Sequence, residues 1–261
     1  MKSIILVDMD GTITEPRQKI DRPMIDSIRC KSKDYDFGIV TGSDMDYVQQ
    51  QCADLLTFEA MDLNKLHIFP CNGTKHYKWD TTSYKLQSQA DMRETLGHEK
   101  YKNILMKVFY EQMNLLVDHT ALPYTGTFLQ YRGSLLNWCP IGRDANNSQR
   151  RVFEELDKEK GIRAKLKESF QMYLTGYGVD ATIALGGSTS FDIYPNGWDK
   201  TYVLRYLEEY DEIYFIGDRC REGGNDKALY DTLSVKPKRA FETASTDQTR
   251  EIICRIYPFD E

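Results

Sequence analysis

Ser3-Ile4-Ile5-Leu6-Val7-Asp8-Met9-Asp10-Gly11-Thr12 is the stretch on which the fold turns. The apolar run is unbroken, as expected of a strand covered on both faces. Two carboxylates and a glycine end it abruptly. Outward from there the pattern repeats. Arg22–Cys30 is weakly helical, Phe37–Val40 is a second short apolar strand, and Met45–Leu56 has helical spacing. Leu66–Phe69 is a third strand, stopped by Pro70 and Asn72-Gly73. Strand and helix in alternation predict a parallel sheet with helices on both faces.

The middle of the chain reads differently. Tyr101–Val117 is a long amphipathic helix, with Ile104, Leu105, Val108, Met113, Leu115 and Leu116 on its apolar side. Thr127–Arg132 and Leu135–Cys139 form a hairpin around Gly133-Ser134. Ser148–Lys160, with Ser148 as its N-cap, and Arg163–Leu174 are helices; Ala181–Leu185 and Phe191–Tyr194 are strands around Gly186-Gly187. The stretch from Asp80 to Lys100 is polar and reads as loop. The last third returns to the first pattern, with helices at Thr201–Leu207, Lys227–Tyr230 and Thr246–Ile256 and a buried strand at Ile213–Ile216. The expected architecture is therefore α/β: a doubly wound parallel-sheet core domain (1–81 and 196–261) with an inserted α+β cap domain (82–195).

Composition narrows the function. The chain has 261 residues, 41% apolar and 28% charged, with a formal net charge of -6. That balance is unlike a nucleic-acid binder, which is more often basic. No segment is long and apolar enough for a membrane span or a signal sequence. The six cysteines are scattered without a C-x-x-C pair, which suggests reduced thiols and a cytoplasmic protein.

Chemistry concentrates at the strand ends. Asp8 and Asp10 follow a buried strand, at the edge where open α/β sheets bind ligands. Like charges so close disfavour each other's ionisation, and a divalent cation with hard oxygen ligands relieves the repulsion. An acidic turn alone would serve equally well to cap a helix. Three further signals join it. Thr41-Gly42-Ser43-Asp44 ends the second strand, where hydroxyls and a helix N-terminus can hold phosphoryl oxygens. Gly197-Trp198-Asp199-Lys200 brings a cation to a loop-to-helix junction. Gly217-Asp218, followed by Gly223-Gly224-Asn225-Asp226, adds a carboxylate at another strand end.

This ordered set resembles the haloacid-dehalogenase-type phosphotransferases. The insertion narrows the resemblance to the eukaryotic-type phosphomannomutases. It contains Arg132, Asn137-Trp138-Cys139-Pro140-Ile141-Gly142-Arg143, Arg150 and Gly186-Gly187-Ser188-Thr189-Ser190-Phe191-Asp192. The opening from Asp8 to Ile20 matches as well. The resemblance implies that Asp8 is the nucleophile, forming an aspartyl-phosphate, and that Asp10 is the general acid and base. Thr41 or Ser43, with Lys200, would orient the phosphoryl group. Mg²⁺ would be held by the set Asp8, Asp10 and Asp218. Arg132, Arg143 and Arg150 would bind the distal phosphate, Ser190 and Asp192 the sugar and its phosphate, and Arg17 would lie near the core site. A hexose phosphate substrate, a hexose 1,6-bisphosphate activator and a homodimer through the cap follow from the same resemblance. Two rival readings keep the scaffold: a sugar-phosphate phosphatase, and a non-catalytic sugar-phosphate sensor.

Overall fold

A computed structural model describes residues 2–257. The chain divides into two units, one of the residues up to Gln89 with those from Trp198 onward, the other Ala90–Gly197. The sequence reading set these junctions near Thr81 and Pro195.

The first unit begins with β1 (Ser3–Val7), α1 (Arg22–Lys31), β2 (Asp36–Val40), α2 (Met45–Cys52) and β3 (Leu66–Phe69). β4 (Lys75–Asp80) and β5 (Ser83–Gln89) follow as a hairpin. The stretch read as polar loop therefore carries a strand. β5 is an edge strand with polar and exposed residues, so it lacks the apolar run that marks β1.

The second unit holds α3 (Met92–Leu96), α4 (His98–Asp118), β6 (Leu129–Tyr131), β7 (Leu136–Trp138), α5 (Asn147–Lys160), α6 (Ile162–Gly176), β8 (Ala181–Gly186) and β9 (Ser190–Pro195). Its sheet is antiparallel, in the order β6-β7-β9-β8. Two details differ from the sequence reading. Asn146 is the N-cap of α5, in a reciprocal capping box with Gln149, so the helix starts before Ser148. In α4, Ile104, Val108 and Leu115 are buried while Met113 and Leu116 are exposed. The helix carries apolar side chains on two faces, and a single stripe cannot describe it.

The chain re-enters the first unit through a 3₁₀ helix, Lys200–Tyr206, over the stretch Thr201–Leu207 that the sequence marks as helical. β10 (Glu212–Gly217), α7 (Lys227–Ser234), β11 (Ala240–Glu242) and α8 (Thr246–Arg255) complete it. The seven-stranded order is β11-β10-β1-β2-β3-β4-β5, parallel as far as β3 and antiparallel beyond. β1 is the middle one of the five parallel strands, and all five of its residues are buried, which is why its sequence shows no alternation.

A buried polar chain crosses three strands. Tyr210 donates to Asp36 Oδ2 (2.6 Å) and its oxygen lies 3.2 Å from His67 Nε2. Its one hydroxyl proton being used, His67 Nε2–H is the donor to Tyr210. His67 Nδ1 therefore accepts from His76 Nε2–H across 3.1 Å. Both imidazoles are neutral. Burial, reinforced by Lys78, pushes His67 down to about 3 and His76 down to about 4. Unfolded histidines take up protons near pH 6.5, so stability falls as pH drops from there toward 4. His76→Phe, which fits between the rings of Phe69 and Tyr206, should flatten that acid limb by about 1 kcal/mol per pH unit. Urea unfolding at pH 5 to 6.5 reads the slope; equal slopes in both proteins would refute the assignment.

Candidate active site

Sheet pairing fixes where the first aspartate emerges. β1 and β10 run in register through Val7↔Ile216, and Asp8 N–H donates to Ile216 O (2.9 Å). Asp8 and Asp218 thus leave adjacent central strands at their carboxyl ends. Asp226, just before α7, is fully buried, and its Oδ2 accepts from Arg219 N–H (3.0 Å). One carboxylate oxygen from each of Asp8, Asp218 and Asp226 lies within 4.8 Å of the others.

Lys200 closes this group. Asp199 caps the 3₁₀ turn by accepting from Thr201 N–H (2.9 Å), which sets Lys200 at its first position. The lysine is 0% exposed. Its Nζ donates to Asp8 Oδ1 and to Asp226 Oδ1 (2.5 Å). One ammonium faces three carboxylates, and the imbalance shows in their protonation. Burial and Asp226 raise Asp8 well above the usual carboxylate range, against the pull of Lys200. Burial and Asp226 also push Asp218 up to about 6. Burial would lower Lys200, but Asp226 and Asp8 outweigh it and its pKa is raised.

Asp218 Oδ1 and Asn225 Oδ1 are buried without a hydrogen-bond partner. The orphaned Asp218 oxygen beside two further carboxylates suits a hard cation with oxygen ligands. The acidic group fits a metal site. Gly11 makes room for it. Its φ is +84°, and a Cβ there would run into the Asp218 carboxylate. Gly11→Ala should displace Asp218, lower stability by about 1–3 kcal/mol and weaken Mg²⁺ binding at least tenfold. Calorimetric titration with Mg²⁺ checks this; unchanged affinity would show that Asp218 is not a ligand.

Asp10 is not one of that acidic group. Its Oδ1 accepts from Tyr47 OH (3.1 Å) and from Arg17 N–H (3.3 Å). Tyr47 is raised by burial and by the Asp10 carboxylate. Arg17 has a left-handed φ of 63°, which presents its N–H to Asp10. Thr41 is buried at the end of β2, and its Oγ1 accepts from Ser43 N–H (3.1 Å). Both hydroxyls therefore belong to one tight loop. Asp44 caps α2 through Met45 N–H (2.8 Å), and Lys75 Nζ grips both its carboxylate oxygens at 2.9 Å.

In the second unit, Arg132, Arg143 and Arg150 each donate to a neutral oxygen. Arg132 donates to Gln130 Oε1 (3.2 Å), Arg143 to Asn137 Oδ1 (2.6 Å), and Arg150 to Thr189 Oγ1 (2.5 Å). Arg150 Nη2 also donates to Arg143 O (3.2 Å), tying the start of α5 to the preceding turn. Desolvation by its surroundings and the charge of Arg132, and more weakly Arg150, lower the Arg143 pKa. Arg143 therefore lies close enough to feel both of the other guanidiniums. Asp192 Oδ1 accepts from Asn137 Nδ2 (2.7 Å), and Ser190 donates to Gly186 O (2.5 Å).

The sequence alone does not mark a role for Asp226, Tyr47, Asn137 or Thr189. Asp226 lay in a glycine-rich loop already singled out, but no strand precedes it to mark it as chemical. Asn137 shows its place only through strand pairing: it is the central residue of a three-residue strand and directly opposite Asp192.

The first unit, with its parallel sheet and aspartates at the central strand ends, defines a haloacid-dehalogenase-type fold. The whole chain is similar to solved phosphatases of that fold. For the Plasmodium falciparum IMP-nucleotidase bound to IMP the TM-score is 0.66 at 12% identity, covering 97% of this chain and 67% of that one. For the C-terminal domain of C. albicans trehalose-6-phosphate phosphatase it is 0.61 at 13%, covering 97% and 90%. Residues 24–258 match the family described as eukaryotic phosphomannomutase. Phosphomannomutases of Arabidopsis thaliana (35% identical; 88% of this chain, 87% of that), Dendrobium officinale (34%; 88% and 85%) and Schizosaccharomyces pombe (32%; 88% and 85%) are relatives. The chain belongs to the eukaryotic phosphomannomutase family and is an enzyme of that type.

Proposed function

We propose that this enzyme interconverts mannose 6-phosphate and mannose 1-phosphate through an aspartyl-phosphate on Asp8. The observation that carries the reading is Asp8 itself: a buried carboxylate at the central strand end, bonded to a fully buried lysine and beside two more aspartates. Asp8 attacks the phosphorus of a hexose 1,6-bisphosphate activator, the P–O bond to the sugar breaks, and the phosphoryl group then passes to the hydroxyl of a hexose monophosphate. Asp10 gives a proton to the leaving sugar oxygen and later takes one from the attacking hydroxyl. Its Oδ1 is held by Tyr47 and Arg17, so orientation is fixed before substrate arrives. Thr41 and Ser43 bond the transferring oxygens, and Lys200 offsets their charge. Asp8, Asp218 and Asp226 are the residues that would hold Mg²⁺, which supplies further positive charge to the transferring group. The cluster of Arg132, Arg143 and Arg150 binds the phosphate that is not being transferred, with Ser190 and Asp192 on the sugar.

The test is an assay with mannose 6-phosphate, Mg²⁺ and a catalytic amount of hexose 1,6-bisphosphate. Mannose 1-phosphate that depends on the bisphosphate, with little free phosphate, supports the mutase. Free phosphate without isomerised sugar would replace it with a sugar-phosphate phosphatase. No product of either kind would leave a non-catalytic sensor.

The same reading includes a homodimer through the second unit, acting in the cytoplasm. Met106, Phe109, Tyr110, Met113 and Val117 form an exposed apolar row on α4, and the six cysteines are free thiols. Among the described residues no helix is long and apolar enough to cross a membrane. Light scattering at micromolar concentration should give twice the chain mass, and Met113→Glu should give the chain mass; a monomeric parent protein would exclude the dimer.

A further inference from the structure

A cation and an anion stand close together in the second unit without neutralising each other. Arg143 and Asp192 are separated by one side chain, that of Asn137. Its Oδ1 accepts from Arg143 Nη1 (2.6 Å), and its Nδ2 donates to Asp192 Oδ1 (2.7 Å) and to Phe191 O (3.2 Å). Asn137 is 3% exposed, and both ends of its amide are satisfied, so the O and N assignment is determined by the partners. The backbone explains the placement. β7 and β9 pair antiparallel with Asn137 directly opposite Asp192, so the two side chains rise on one face of the sheet. Asp192 is one of the charges that raise Arg143, so the two groups sense each other across the amide. The next strand contributes to the same spot: at Gly186 a Cβ would meet Asp192 Oδ2 at 2.9 Å and Ser190 Oγ at 3.0 Å, so no side chain fits there.

We propose that Asn137 is a positioning residue, a neutral spacer that keeps Arg143 and Asp192 from forming an ion pair and so preserves both charges for the substrate. A guanidinium bidentate with a carboxylate has already spent the donors that a phosphate needs. An amide oxygen orients the same guanidinium and leaves its charge uncompensated. On the other side, the amide N–H₂ holds Asp192 by one oxygen and leaves the second to accept from a sugar hydroxyl. A carboxamide does both at this reach, with an acceptor toward Arg143 and a donor toward Asp192; a serine hydroxyl has both functions but is too short to span the two partners. The inference rests on the reading that Arg143 and Asp192 face the substrate.

The experiment is calorimetric binding of inorganic phosphate and of mannose 1-phosphate to the whole protein. The variants are Asn137→Ser, Asn137→Asp and the double variant Asn137→Ser with Asp192→Asn, each with its thermal midpoint. In N137S the spacer is too short and Arg143 pairs with Asp192. Phosphate affinity should fall about tenfold or more while the midpoint holds. N137D keeps the volume but sets a carboxylate against Arg143, and should lose phosphate affinity to a similar degree. Removing the competing charge in N137S/D192N should restore phosphate binding but not the extra affinity for the sugar phosphate. A structural role would not produce that recovery. Unchanged phosphate affinity in N137S and N137D, or no recovery in the double variant, would overturn the proposal. So would failure of the parent protein to bind phosphate. A parent protein that binds phosphate but makes no bisphosphate-dependent mannose 1-phosphate would overturn the mutase reading and leave the spacer standing.

Discussion

Asp8→Asn is expected to lower kcat by about 10⁴-fold or more without lowering the thermal midpoint. The two halves of this result come from one geometry. A carboxamide nitrogen or oxygen does not attack phosphorus at a useful rate, so no aspartyl-phosphate forms and both the mutase and any phosphatase activity disappear together. The stability half follows from charge. Asp8 is one of three carboxylates around a single buried lysine, and burial together with Asp226 already disfavours its ionised form. Asn removes a repulsive charge, and Lys200 keeps Asp226 as its partner (2.5 Å). Catalytic loss with an unchanged or raised midpoint would therefore identify Asp8 as a residue kept for chemistry at some expense of stability. Turnover that survives the substitution would sink every enzymatic reading of this site.

Lys200→Met should act in the opposite way on stability. The side chain is of similar length but leaves Asp8 and Asp226 buried without a cation. Breaking a buried pair by removing one partner costs about 3–5 kcal/mol, or roughly 10 °C in the midpoint for a unit of this size. Activity should fall at least 10²-fold as the charge opposite the transferring group is lost. Two dependences identify the cause. Mg²⁺ in the millimolar range should recover part of the lost midpoint, because a cation held by Asp8, Asp218 and Asp226 substitutes for the ammonium. The deficit should also narrow at acid pH. Asp218 has its pKa raised to about 6, above the unfolded value, so the folded state binds the extra proton; that stabilisation is present at low pH and lost as pH rises through about 6. Without Lys200 the carboxylates gain protons more readily still. A midpoint deficit that ignores both Mg²⁺ and pH would point to lost packing alone.

The parts of this molecule that its sequence reveals are those where one physical demand dominates. β1, β2 and β3 are buried on both faces, so their residues are mainly apolar, with Ser3, Asp36 and His67 as the polar exceptions, and their limits are visible to within a residue or two. Asp8 and Asp218 are legible because each interrupts such a run at a strand end. Lys200 is legible only through its motif. Nothing in Gly197-Trp198-Asp199-Lys200 distinguishes a solvated lysine from one that is fully buried; the distinction comes from Asp8, 192 positions away. Asp226 and Asn137 are harder for the same reason, since their partners arrive from other segments. β5 was missed because an edge strand facing water has the composition of a loop. The second face of α4 was missed because apolar periodicity does not separate a face that packs within the unit from one left exposed.

The position of the second unit in the chain has a consequence for synthesis. β1 pairs on one side with β2 and on the other with β10. β10 emerges from the ribosome roughly 10–40 s after β1, at 5–20 residues per second. Over that interval a mainly apolar strand lacks one neighbour, while residues 90–197, which are contiguous, can complete their own sheet first. The nascent first unit thus holds β1 with one edge unpaired until Gly217 is made. Substitutions that slow the folding of residues 90–197 would extend the wait, and would lower the yield of active enzyme without touching Asp8, Lys200 or any group that meets the substrate.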